Sequence, residues 1–116
     1  MEIYQGDIVW EKFPFTDGVR SKGRPALVLS KDVYNKSSED ILLVYITGQK
    51  KDTFQIHIKA FCISDGELAK PSHIQYNKIL LVERSRIRGV IAIVTKEFYK
   101  EVVSKICDFI SYESRS

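Results

Sequence analysis

Only one stretch of this chain carries helical spacing. Near its C-terminal end, Phe98, Val102, Ile106, Phe109 and Ile110 fall on one face, Lys96, Lys100, Glu101 and Lys105 point away from it, and Thr95 is placed to act as N-cap. What precedes it is a series of short β-type runs. Gly6–Phe13 alternates, with Ile8 and Trp10 on one face and Asp7, Val9 and Glu11 on the other. Ala26–Ser30 and Ile41–Thr47 are unbroken apolar runs, better read as core strands than as helices. Residues 53–59 alternate again, with Phe54, Ile56 and Ile58 inward against Gln55, His57 and Lys59, and further strands are expected at about 73–82 and 90–94. Turn-rich segments at 14–23, 35–40, 48–52 and 64–72 read as connecting loops, with a short helical turn at Asp32–Ser38. Strands of this length with a terminal helix over them predict a mainly β (α+β) domain, an antiparallel sheet strongly curved or closed into a small barrel.

The 116 residues read as a single domain, 1–116, long enough to bury a core and undivided by any repeat or linker. A composition of 44% hydrophobic and 28% charged residues fits a folded soluble protein, and no run approaches the ~18 apolar residues of a membrane span. Glu2, Asp7, Glu11 and Lys12 interrupt the segment where a secretory leader would need an apolar core, so the expected location is cytoplasmic. Cys62 and Cys107 are far apart and outside any CxxC pattern, and are expected to be two buried thiols.

Metal chemistry needs converging ligands. The two histidines, His57 and His73, have no helical i,i+4 relation and no neighbouring cysteine, so no metal or other cofactor is expected. The GxSxG, P-loop and GxGxxG patterns are absent as well. The net charge of +3 is modest, but its distribution is uneven: Arg20, Lys22, Arg24 and Lys31 form one acid-free cluster, and Arg84, Arg86 and Arg88 form another. If folding joins them, one face attracts phosphate. Within the first cluster, Gly23 permits close approach of a ligand and Pro25 biases Arg24 to an extended conformation, which would mount its guanidinium rigidly at the mouth of a core strand. Taken alone, Arg24 is also readable as a surface arginine, and Thr47, at the end of ILLVYIT, as a residue that starts a turn.

Together, GDIVWEKFPF, KGRPALVLS and ILLVYITGQ resemble, in order and spacing, the MazF/PemK family of toxin endoribonucleases over nearly the whole chain. The resemblance implies a small SH3-like barrel with a C-terminal helix, working as a homodimer that cuts single-stranded mRNA at a short motif without a metal. It also implies a cognate antitoxin with an acidic, partly disordered inhibitory tail, and operator DNA bound only through the antitoxin complex. By the same resemblance Arg24 and Thr47 are the catalytic pair, and Arg20, Ser21, Lys22, Gln49, His73, Gln75 and Asn77 contact RNA. Trp10, Phe13 and Phe15 could stack on bases, with core packing the simpler role for Trp10. One departure concerns proton transfer. Family members often carry an arginine and an aspartate in a pattern like S-x-V-R-x-D-K-I, where this chain reads SHIQYNKI, with Gln75 and Asn77 at those places and His73 as the substitute titrating group. Two other readings remain open: a non-catalytic toxin of this fold that binds DNA gyrase, like CcdB, and an inactive member that only binds RNA or its antitoxin.

Overall fold

The computed structural model describes residues 1–14 and 21–115. Among these, β1 (Asp7–Pro14), β2 (Ser21–Val28), β3 (Asp40–Thr47), β4 (Gln55–Ile58), β5 (Ile63–Gly66), β6 (Ser72–Glu83) and β7 (Ile87–Val94) form one sheet in the order β4-β6-β3-β2-β1-β7-β5. Every pairing is antiparallel. Helix α1 (Asp32–Ser37) links β2 to β3, and α2 (Lys96–Ile110) closes the chain. The architecture is the expected curled antiparallel sheet with a C-terminal helix. Two strands lie where loops were expected. β5 runs from Ile63 into 64–72 and β2 begins at Ser21 inside 14–23, because backbone pairing to β7 and β1 makes a strand there without help from apolar alternation.

The unbroken apolar runs have a structural cause. Ile8, Leu27 and Val44 join the core beneath α2, while their neighbours Val9, Ala26, Val28 and Leu43 join a second core on the opposite face with Ile3, Ile41, Val82 and Ile87. β1, β2 and β3 are therefore buried on both sides, and polar alternation has no solvent face to follow.

α2 starts where Thr95 predicts: its hydroxyl accepts a hydrogen bond from the Phe98 N–H at 3.1 Å. Phe98, Val102 and Ile106 enter the core, and the Tyr99 hydroxyl donates to the Leu29 carbonyl at 2.7 Å, tying the helix to the end of β2. Phe109 and Ile110, expected on the buried face, are exposed. Phe109 instead lies edge-on to Phe54 at 5.5 Å and to Tyr76 at 6.0 Å. Phe54 is exposed rather than inward, since its φ of +63° turns the chain just before β4. Cys62 is buried but Cys107, on the outer side of α2, is exposed, which corrects the expectation of two buried thiols.

On β4 and β6, His57 and His73 stand directly opposite one another with ring centroids 4.9 Å apart. His57 is exposed, as expected; His73 is only 8% exposed. Burial first, then the charges of His57 and Lys50, hold the His73 imidazole below its ordinary value of 6.5. Folding thus weakens proton binding at His73, so the unfolded chain takes up that proton first as pH falls, and stability drops with pH through the ordinary histidine range.

Two measurements check this account of the fold. Thr95→Ala should cost about 1 kcal/mol and lower Tm by about 4 °C, while Thr95→Ser should restore the wild-type melt. Plotted against pH, the fall in Tm between about pH 7 and pH 5 should be shallower in His73→Gln than in wild type; identical slopes would remove His73 as its source.

Candidate functional site

Pro25 decides where the sheet opens. It has no N–H to offer, and the ladder between β2 and β3 runs only from Ala26 opposite Tyr45 to Val28 opposite Leu43. β2 nevertheless continues on its other side, pairing with β1 back to Ser21 opposite Pro14. Arg24 is thus part of a strand held on one edge, not of a loop before it. A cleft of about 660 Å³ opens in the gap between β2 and the end of β3.

Arg24 and Thr47 both line this cleft. The Arg24 guanidinium lies over the Tyr45 ring, 4.6 Å from its centroid, a stack worth on the order of 0.5–1 kcal/mol that also fixes the orientation of the fork. Thr47 Oγ1 accepts a hydrogen bond from the Gln49 N–H at 3.1 Å, the turn-starting role, and still keeps its own hydrogen to donate. Both roles assigned to Thr47 in the sequence are therefore compatible.

Gly23 lines the cleft and has a second purpose that its sequence position does not show. A Cβ there would meet the Trp10 indole at 2.2 Å, so the glycine makes room for the protein's own tryptophan. Trp10 lies across it, 40% exposed, as a wall of the cleft rather than a core residue.

Lys51, Lys70 and Lys78 join Arg24 around the cleft, and no carboxylate lines it among the described residues. A neighbouring hollow of about 630 Å³, across the shared segment Leu68–Ala69–Lys70, includes Glu67 and lacks this one-sided charge. The second cationic cluster of the sequence goes elsewhere. Arg86 forms an ion pair with the fully buried Glu11, and Arg84 donates to the carbonyls of Ser38 and Met1. The face expected from joining the two arginine clusters is instead made by Arg24 with three lysines from turns and from β6. These lysines went unmarked in the sequence because nothing in their spacing links them; only the fold does.

Gln75, 4% exposed, lines the cleft floor as the centre of a chain of amides. Its Nε2 donates to Asn77 Oδ1 at 2.6 Å, and its Oε1 accepts from Gln55 Nε2 at 2.9 Å. Gln55 also donates to the Gln49 carbonyl and accepts from the Lys51 N–H, so the amides fasten the 48–54 loop to β6. Gln49 lines the cleft; Asn77 and His73 do not, although Ser72, next to His73, does. Ser21 and Lys22 are placed as backbone in β2, and Phe13 in β1. Arg20 and Phe15 lie outside the described residues. No group of three or more His, Cys, Asp or Glu is arranged to hold a metal among the described residues.

Tyr45 carries no signal in the sequence beyond its place in the apolar run of β3. Burial, then the nearby Glu11 carboxylate, push its hydroxyl up to about 12, against the opposing pull of Arg24 and Arg86. The ring is therefore a neutral platform under the guanidinium at physiological pH.

Similar proteins share this fold. A chain of a MazE–MazF structure from Deinococcus radiodurans matches with a TM-score of 0.79 at 21% identity, over 97% of this chain and 99% of the other. The toxin MazF-mt6 of Mycobacterium tuberculosis matches at 0.74 and 16% identity, over 93% and 99%. An endoribonuclease of a mycobacterial species, in complex with its cognate antitoxin, matches at 0.72 and 12% identity, over 98% of both chains. At these identities the likeness establishes the fold. No curated protein matches the sequence. Residues 4–110 match the family described as PemK-like, MazF-like toxin of type II toxin-antitoxin system, a span that includes every strand and both helices. The chain belongs to the PemK/MazF family of toxins of type II toxin-antitoxin systems.

Proposed function

We propose that this toxin is an endoribonuclease that cuts single-stranded RNA at a short motif, with Arg24 and Thr47 as its catalytic residues. The observation that carries the reading is the guanidinium of Arg24, fixed over Tyr45, sharing with the Thr47 hydroxyl a cleft lined by cations and by no carboxylate among the described residues. In the reaction a ribose 2′-oxygen bonds to the adjacent phosphorus and the P–O5′ bond breaks. The 2′-OH proton is given up and the departing 5′-oxygen is protonated, leaving a 2′,3′-cyclic phosphate and a 5′-OH. Charge builds on the phosphoryl oxygens, where a preorganised guanidinium lowers the barrier and a hydroxyl donor holds the phosphate in line. Neither a carboxylate nor an imidazole lines the cleft among the described residues, and we assign proton exchange to water. The rate then rests on positioning and charge.

Lys51, Lys70 and Lys78 would track the backbone, and the open ring of Trp10 offers a surface on which an unpaired base stacks. The same cations suit an acidic antitoxin tail with apolar anchors, which would inhibit by occupying the cleft. A homodimer and a metal-free reaction belong to this reading through the family likeness.

With purified protein in EDTA, Arg24→Ala should slow cleavage of single-stranded RNA by on the order of 10²–10³. DNA of the same sequence should survive, since it lacks the 2′-OH. An undiminished rate in the alanine variant would remove Arg24 from the chemistry.

A further inference from the structure

Glu11 is a carboxylate with no exposed surface in a protein whose other described acids mostly face water. Full burial of a carboxylate is costly unless cations match it, and such an arrangement calls for a role. Its surroundings are specific. In the β1–β2 ladder Glu11 is directly opposite Arg24, so the two side chains leave the sheet on one face, within reach of each other. On the other side of β1, an irregularity between Trp10 and Glu11 brings in Arg86, the last residue of the 3-10 turn Arg84–Arg86, whose guanidinium pairs with the carboxylate. Val9, Ala26 and Tyr45 are aligned across the same face, and the Tyr45 ring reaches both Glu11 and Arg24. Arg86 does not line the cleft. Its charge is directed at Glu11.

We propose that Glu11 is a positioning residue for Arg24: anchored from behind by Arg86, its buried carboxylate holds the guanidinium over the Tyr45 ring and facing the cleft. This rests on the reading of Arg24 as the phosphate-stabilising group. Glu11 itself touches no substrate. A structural ion pair that merely pinned β1 to the turn Arg84–Arg86 would have no need of the tyrosine or of the arginine opposite.

A double-mutant cycle separates the two roles. Steady-state RNA cleavage is measured for wild type, Glu11→Gln, Arg24→Ala and the double variant, with folding checked by circular dichroism. Glu11→Gln should lower kcat about tenfold or more without raising KM, because the guanidinium loses its fixed orientation while the cleft loses no positive charge. In the Arg24→Ala background the same change should cost less than about twofold. An unchanged kcat, or an equal loss in both backgrounds, overturns the proposal. Should Glu11→Gln fail to fold, E11Q/R86Q removes both charges, leaves no buried ion unpaired, and carries the same cycle. If wild-type protein cuts nothing, it is the nuclease reading that fails. The cycle then moves to affinity for a 2′-O-methyl oligonucleotide, where non-additive changes support the coupling and additive changes overturn it.

Discussion

The ladder between β2 and β3 ends at Ala26 opposite Tyr45, and the site depends on that ending. A strand that kept pairing would have covered its own edge and packed Arg24 against a neighbour's backbone. Pro25 denies the next N–H, yet β1 continues to hold β2 along its other edge, so the five residues before Ala26 are rigid on one side and open on the other. Rigidity and access are usually in competition. Here a single imino acid provides both, and Trp10, Arg24 and Thr47 reach the resulting gap from different strands.

The electrostatics follow from how charge is distributed between the sheet face and the cleft. Glu11 and Arg86 hold one carboxylate and one guanidinium away from the opening, whereas Arg24 and three lysines surround it. Such a cleft concentrates phosphate, with Glu11 reaching Arg24 from the sheet face rather than from the opening. The amide chain through Gln55, Gln75 and Asn77 contributes order rather than charge. In place of an ionisable pair, this chain has a strut that fastens the loop bearing Gln49 and Lys51. For a reaction carried by orientation and field, loss of titrating groups at 75 and 77 removes less than it would from acid–base catalysis.

Much of the fold was legible in the chain because periodicity reports burial. The Thr95 cap, the helix behind it and the strands at 41–47 and 73–82 are visible as capping chemistry and apolar pattern. β5 was not legible, since Ser64, Asp65 and Gly66 are held by pairing with β7 at the edge of the sheet and not by burial. Local chemistry and family likeness single out Arg24 and Thr47, whereas the room that Gly23 makes for Trp10 shows only in the fold. Glu11 illustrates the limit best. In an alternating strand it reads as one more solvent-facing acid, and only the fold turns it into a buried anion paired with Arg86 and opposite Arg24 in the ladder. Lys51, Lys70 and Lys78 are distant in sequence, so their convergence is a property of the fold alone.

A 2′-OH attack driven by a fixed guanidinium leaves its signature in the chemistry of the cut ends. Wild-type protein is incubated in EDTA with a long RNA containing paired and unpaired regions, and both new termini are mapped and identified. The expected result is cuts confined to unpaired segments at one short recurring motif, each leaving a 2′,3′-cyclic phosphate and a 5′-OH. Ends bearing a 3′-OH and a 5′-phosphate, or RNA left whole, would contradict it.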